Sequence, residues 1–183
     1  MTYSFHQVGI LLGSNILPEL NLPNAIMALS QHIIVARISS AWQTEAVGSN
    51  GPDFLNAAIL GYTRRHPARL KTEVLRPLET KMGRIRTSNK NAPRPIDLDI
   101  AIFDQHPIDR DLWKYAYAAV PVAELLPEIT HPITGVRLLQ MAELLAKRTK
   151  IVRREDFSIP AIISPASIKP VSLVAPSPGS QAG

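Results

Sequence analysis

In the segment Pro93-Arg94-Pro95-Ile96-Asp97-Leu98-Asp99-Ile100-Ala101-Ile102, apolar and acidic residues alternate. Side chains alternate across a strand. A strand here would put Ile96, Leu98, Ile100 and Ile102 on a core face and Asp97 and Asp99 on the other, their α-carbons ~6.6 Å apart at ~3.3 Å per residue. Aspartate is disfavoured in strands, and two on one face repel each other unless positive charge lies between them. A divalent cation meets that need: two carboxylates and water leave positions open on Mg²⁺ for substrate phosphates. A salt-bridge cluster with nearby arginines, or exposure on an edge strand, would meet it too. The Pro-Arg-Pro run stiffens the backbone just before the carboxylates and holds a guanidinium, whose fork suits phosphate. Arg84 and Arg86 could reach the same place across the loop. Two carboxylates for metal and two or three arginines for phosphate describe a phosphoryl-transfer site.

The charge of the chain agrees. It has 183 residues, a net charge of +5 and no cysteine. From Arg64 to Arg94 there are ten Lys or Arg against two acids. Such concentration suggests an anionic partner, either a phosphorylated small molecule or nucleic acid; a solvated basic helix face is the alternative. The run lacks the interleaved aromatics of a nucleic-acid stacking platform, so no nucleic-acid partner is expected. Without cysteine there is no disulfide scaffold, thiol nucleophile or thiolate metal site. No apolar run approaches the ~20 residues of a membrane helix, and no signal peptide is evident. A cytoplasmic protein, monomeric and without a membrane partner, is the expectation. There is no G-x-x-x-x-G-K, G-x-G-x-x-G, H-x-x-x-H or nucleophile elbow.

The elements that must position these residues can be read from hydrophobic spacing. Val8 to Leu12 reads as a buried strand ended by Gly13-Ser14-Asn15, and Asn21 to Leu29 as a helix with Pro23 in its first turn. Ile33 to Trp42 and Phe54 to Tyr62 read as strands, with the loop Gly48-Ser49-Asn50-Gly51-Pro52 between them. Pro67 to Met82 has helical spacing, and Pro77 should kink it. Thr87 to Pro95 reads as an exposed loop and Ile96 to Phe103 as a strand. Val120 to Leu126 and Val136 to Lys147 read as helices. The tail from Pro160 is rich in proline and serine. The chain divides into a catalytic domain, 1–150, and a flexible C-terminal extension, 151–183. The order β-α-β-β-α-β implies an α+β fold: a ferredoxin-like split β-α-β sandwich, with helices on one face of a mainly antiparallel sheet.

With these motifs in hand, residues 8–145 resemble the 6-hydroxymethyl-7,8-dihydropterin pyrophosphokinase family. The resemblance rests on an ordered set: Leu12-Gly13-Ser14-Asn15, Trp42-Gln43-Thr44 with Gly48, Pro52-Asp53-Phe54-Leu55-Asn56-Ala57-Ala58, Glu79 with Gly83-Arg84-Ile85-Arg86, and Pro93-Arg94-Pro95-Ile96-Asp97-Leu98-Asp99. It implies transfer of diphosphate from ATP to the pterin hydroxymethyl group, releasing AMP, in folate biosynthesis. It implies two Mg²⁺ ions on Asp97 and Asp99, with Arg84, Arg94, Asp97 and Asp99 as the catalytic set. Glu79, Arg84, Arg86, Arg94 and Ile100 match the ATP site. Thr44, Val47, Phe54, Asn56 and Tyr117 match the pterin pocket; a carboxamide such as Asn56 supplies both a donor and an acceptor. Core packing and a turn cap are the other readings of Phe54 and Asn56.

One stretch departs from the family pattern. The family carries a His and an Arg for ATP phosphates after the second aspartate, the Arg just before an aromatic. Here Ile108 to Tyr117 is shorter and matches neither, with Lys114 or Arg110 as replacement cations and Tyr117 as the aromatic. A divergent relative, binding pterin or nucleotide with weak or altered transfer, is therefore the alternative function.

Overall fold

The computed structural model describes residues 4–48, 51–88, 92–157 and 159. The tail expected from Pro160 onward, and Ser49 and Asn50 of the glycine-rich loop, lie outside these residues.

Two strands form the spine because they are apolar on both sides. β1 (His6–Ser14) pairs antiparallel along its whole length with β4 (Phe54–Thr63). Runs such as Ile10-Leu11-Leu12 and Ala57-Ala58-Ile59-Leu60 leave no polar face to show to water, as expected of strands covered on both sides. On one face Val8, Ile10, Leu12 and Ile59 pack with Leu22, Ala25, Ile26 and Leu29 of α1 (Pro18–Leu29). On the other, Leu11, Ala58 and Leu60 pack against α4 (Ala116–Ala123), which in turn packs on α5 (Leu138–Arg148). Helices thus cover both faces, not one as expected. The remainder of the α+β, mainly antiparallel arrangement stands: the described strands form a seven-stranded sheet in the order β6 (His106–Pro107), β5 (Asp97–Phe103), β1, β4, β3 (Trp42–Thr44), β7 (Ile151–Arg153), with β2 (Ile34–Ile38) also on β4.

Several boundaries shift for local reasons. α1 begins a turn earlier than expected, with Pro18 at its start and Pro23 inside it. The expected strand Ile33 to Trp42 is two, β2 (Ile34–Ile38) and β3 (Trp42–Thr44). Between them Ser39 turns both its N–H and its hydroxyl to Ala58: the N–H donates to the Ala58 carbonyl at 2.9 Å, and Oγ accepts the Ala58 N–H at 2.8 Å. The helix containing Pro77 does not simply kink. α2 (Pro67–Leu70) passes through a π-turn (Lys71–Leu75) into α3 (Arg76–Lys81). β7 (Ile151–Arg153) pairs with β3, and Phe157 and Ile159 pack on the core, so the fold runs past the boundary expected after residue 150.

β5 (Asp97–Phe103) pairs with β1 through a bulge. Ile10 faces Ile100 and Gly9 faces Ile102, which leaves Ala101 as the extra residue. An extra residue reverses the facing of the residues beyond it. Ile96, Leu98 and Ile100 lie in the first core as expected, but Ile102 is buried in the second. The bulge lies past the aspartates and does not disturb their alternation. On its outer side, among the described residues, β5 pairs only at Ile102 and Phe103, with β6 (His106–Pro107).

Candidate active site

Asp97 and Asp99 open into one cavity of about 360 Å³ at the end of the sheet. β1 contributes Leu11 and Gly13, and β4 contributes Phe54 and Asn56. Thr44 and Val47 come from the end of β3 and the loop after it, Arg94 precedes β5, and Tyr115 and Tyr117 face in from the start of α4.

The aromatic end is set by the register of β1 and β4. Gly13 stands opposite Asn56. A Cβ on Gly13 would meet Asn56 Oδ1 at 3.2 Å and Phe54 Cδ1 at 3.7 Å, so the glycine makes room for the carboxamide. Asn56 is buried; its Nδ2 donates to the Trp42 carbonyl at 3.2 Å and to Thr44 Oγ1 at 3.0 Å. Both amide hydrogens are therefore spent internally, and Oδ1 is the atom available to a ligand as an acceptor. The simple expectation of donor and acceptor together does not hold in this arrangement. The guanidinium carbon of Arg94 lies 5.7 Å from the Phe54 ring centroid, tying the aromatic end to the ionic end.

Asp97 lies between two arginines. It accepts from Arg84, and from Arg94 Nη1 at 2.6 Å. Burial pushes its carboxyl up, but the hydrogen bonds and charges of Arg84 and Arg94 outweigh burial and hold it below the usual carboxylate range. Behind it, buried Glu79 accepts from Arg84, from Arg86 and, at 2.9 Å, from the Leu98 N–H on the outer edge of β5. Burial pushes the Glu79 carboxyl up, against that N–H and the two guanidiniums. Asn15 holds the Arg94 loop in register. Its Oδ1 accepts the Arg94 N–H at 2.7 Å, its N–H donates to the Arg94 carbonyl at 3.2 Å, and its Nδ2 donates to the Pro52 carbonyl at 3.2 Å. Nothing in local spacing assigned Asn15 that role, because its partners are 37 and 79 residues away.

The structure brings Thr44, Val47, Phe54, Asn56, Arg94, Asp97, Asp99 and Tyr117 to one cavity. Arg84, Glu79 and Arg86 lie behind Asp97 rather than on the cavity lining, and Ile100 lines an adjoining cleft. The replacement cations are not there either. Arg110 and Lys114 are exposed, and the cavity receives Asp109 and Asp111 from the same turn. The cause is the 3₁₀ turn Arg110–Trp113, which Asp109 caps by accepting the Asp111 N–H at 2.9 Å. Asp111 accepts the Tyr117 hydroxyl at 2.7 Å, and Tyr115 stacks on Tyr117 with centroids 5.3 Å apart. Burial, together with Asp111, pushes the Tyr117 phenol up, so it stays a neutral donor.

The salt-bridge alternative and the cation reading meet in this geometry. Asp97 carries its arginines, and Asp99 accepts from Lys71 Nζ at 2.8 Å, yet both carboxylates keep a side on the cavity. Among the described residues no group of three or more His, Cys, Asp or Glu is arranged to hold a metal. Two ionised oxygen donors fit Mg²⁺, which keeps several waters and takes phosphate oxygens on its other positions. No described helix is long and apolar enough to cross a membrane.

A sequence model of the 7,8-dihydro-6-hydroxymethylpterin-pyrophosphokinase family matches residues 9–127. Over 149 residues the chain is 32% identical to a Synechocystis protein named 2-amino-4-hydroxy-6-hydroxymethyldihydropteridine pyrophosphokinase, covering 75% of each. A Campylobacter jejuni protein of the same name is 39% identical over 106 residues, covering 56% of this chain and 66% of the relative. An Arabidopsis thaliana folate synthesis bifunctional protein is 35% identical over 136 residues, 68% of this chain but only 28% of that protein.

Proposed function

The chain belongs to the 7,8-dihydro-6-hydroxymethylpterin-pyrophosphokinase family, and from that premise we propose that it transfers diphosphate from ATP to the hydroxymethyl group of 6-hydroxymethyl-7,8-dihydropterin in folate biosynthesis. The observation that carries this reading is the meeting of Asp97 and Asp99 with Phe54 and Asn56 in one cavity.

The pterin stacks on Phe54, with Tyr117 opposite. Its ring edge gives a hydrogen bond to Asn56 Oδ1 and meets the backbone near Thr44 and Val47. The hydroxyl oxygen bonds to the β-phosphorus while the bond from that phosphorus to the bridging α–β oxygen breaks, and AMP leaves with the electron pair. Asp97, held below the usual carboxylate range, is a poor base, so the hydroxyl proton passes to solvent. Two Mg²⁺ ions, held by Asp97 and Asp99 together with the triphosphate, would neutralise the charge that develops there. Arg94 pairs with phosphate from the cavity wall; Arg84 and Arg86, fixed by Glu79, supply further positive charge behind Asp97. The protein's contribution is alignment and charge rather than covalent chemistry. In this reading the working unit is a cytoplasmic monomer acting on small molecules, and residues 4–157 are its catalytic domain.

The test is AMP release from ATP and the pterin alcohol with Mg²⁺. Wild type should form AMP only when the pterin alcohol is present. Asp97→Ala should lower turnover by about a thousandfold or more, the upper range for losing an electrostatic element of a transition state. Binding of the pterin without AMP release by folded wild type would sink the transferase reading.

A further inference from the structure

Lys71 belongs to none of the motifs above, and its position is a consequence of Pro77. In an unbroken α-helix eight residues turn ~80° beyond two full turns, so Lys71 would point away from the side on which Glu79 meets β5. Pro77 has no N–H to give to the Glu73 carbonyl, and its ring collides with that carbonyl. The helix accommodates it by a π-turn over Lys71–Leu75, in which the Arg76 N–H donates to the Lys71 carbonyl. One extra residue in the turn takes back roughly 100°. Lys71 and Glu79 then share a face, and both reach β5: Glu79 at the Leu98 N–H, Lys71 at the Asp99 carboxylate.

The helix packs on the core face of β5, whereas Asp99 opens on the cavity face. Lys71 therefore extends over the outer edge of the strand, which at this level has no β-partner among the described residues. There it lines a second cleft, of about 370 Å³, with Ile100 and Ile108. The two spaces share Asp99, Asp109 and Asp111 as their border. Among the described residues lining the second cleft, Lys71 is the one cation. A nucleotide entering it would otherwise meet three carboxylates.

We propose that Lys71 is a further nucleotide-binding and catalytic residue, whose ammonium leaves Asp99 to neutralise the α-phosphate of the departing AMP. This rests on the diphosphate transfer proposed above. With the pterin at the aromatic end, in-line attack on the β-phosphorus directs the leaving group to the far side of Asp99, into the cleft that Lys71 lines. As the bridging bond breaks, its electron pair stays on the AMP oxygen. The ammonium balances that charge without giving up a proton.

The test compares wild type with Lys71→Met and Lys71→Arg, each checked for folding by thermal melting; Lys71 is 41% exposed, so its replacement leaves the core untouched. Calorimetry with AMP alone reads α-phosphate binding in the absence of metal and turnover. AMP affinity should fall about tenfold in Lys71→Met and be largely kept in Lys71→Arg, the order expected for one charged hydrogen bond. In the AMP-release assay kcat should fall by a similar or larger factor in Lys71→Met, with the pterin KM unchanged. Unchanged AMP affinity, or undiminished kcat with tighter Mg²⁺ binding, would show that Lys71 is only the counterion of Asp99 and would overturn the proposal. A wild type that forms no AMP would instead defeat the transfer reading, and the AMP-binding comparison would still decide the role of Lys71.

Discussion

On one side of the cavity, Asp97 is held between Arg84 and Arg94 and backed by Glu79, whose remaining contacts are Arg86 and a strand N–H. On the other, the short turn carrying Asp109 and Asp111 offers acids and two stacked tyrosines. The first side is a network of three arginines, from the loop between α3 and β5, on two carboxylates, one from each of those elements. The second has carboxylates facing Asp99 across the border, with Lys71 as the nearby cation. The cations at the cavity's edge are thus clustered on one side, with Lys71 alone at the border of the other. On the proposed reaction, the arginine side takes the β- and γ-phosphates, Lys71 takes the α-phosphate at the border, and the tyrosines after the turn serve the aromatic substrate.

Breaking the network should have the largest effect. Glu79→Gln takes the shared carboxylate from Arg84, which keeps Asp97, and from Arg86, which is half exposed, so the cost should lie at the low end for a broken buried pair, about 3 kcal/mol. The midpoint of denaturant unfolding should fall accordingly, with turnover reduced as Arg84 and Arg86 lose their placement. An unchanged midpoint would mean that the arginine side does not depend on Glu79.

Tyr117→Phe addresses the turn. It removes the hydroxyl that donates to Asp111 and costs about 1.5 kcal/mol, the low end for a hydrogen bond to a carboxylate. The pterin KM should rise several-fold while the ATP KM stays level. A change confined to the ATP KM would reverse the division of labour between the two sides.

The smallest effect is one of sign, read from pH. Asp97 is held below its ordinary range despite burial. Its contribution to stability is complete above the unfolded value, ~3.9, and is lost as pH falls through the lower folded value. Asp109 is the reverse. Burial, with the charges of Asp111 and Asp99, raises its carboxyl against the Asp111 N–H and Lys71. Its favourable contribution is present below the unfolded value and lost as pH rises through the folded one. Asp109→Asn, which can still cap the turn, should therefore melt slightly higher than wild type at pH 7 and no higher near pH 3. Asp97→Asn should instead lose stability at pH 7 and show a flatter acid limb.

Much of the cavity lining could be read along the chain. Alternation placed Asp97 and Asp99 on one face, and the ordered motifs gathered Thr44, Phe54, Asn56 and Arg94. What escaped were features set by partners distant in sequence. The single strand expected from Ile33 to Trp42 splits because the Ser39 hydroxyl bonds to Ala58. Ile102 changes core because β1 and β5 shift register at Gly9. Arg110 and Lys114, plausible by charge, are turned outward by a 3₁₀ turn that presents Asp109 and Asp111 instead.

The sequence by itself settled that two carboxylates face one way, because a strand repeats every two residues wherever it lies in a fold. It also settled that Pro77 must disturb its helix, because a proline has no N–H to give. Only the tertiary structure decided which cation each carboxylate holds. The π-turn rotates Lys71 toward a strand 28 residues away, and Glu79 collects two arginines and an edge N–H at once. Those pairings depend on the packing of the helix on β5, and such packing is a property of surfaces brought together by the whole core rather than of any local spacing.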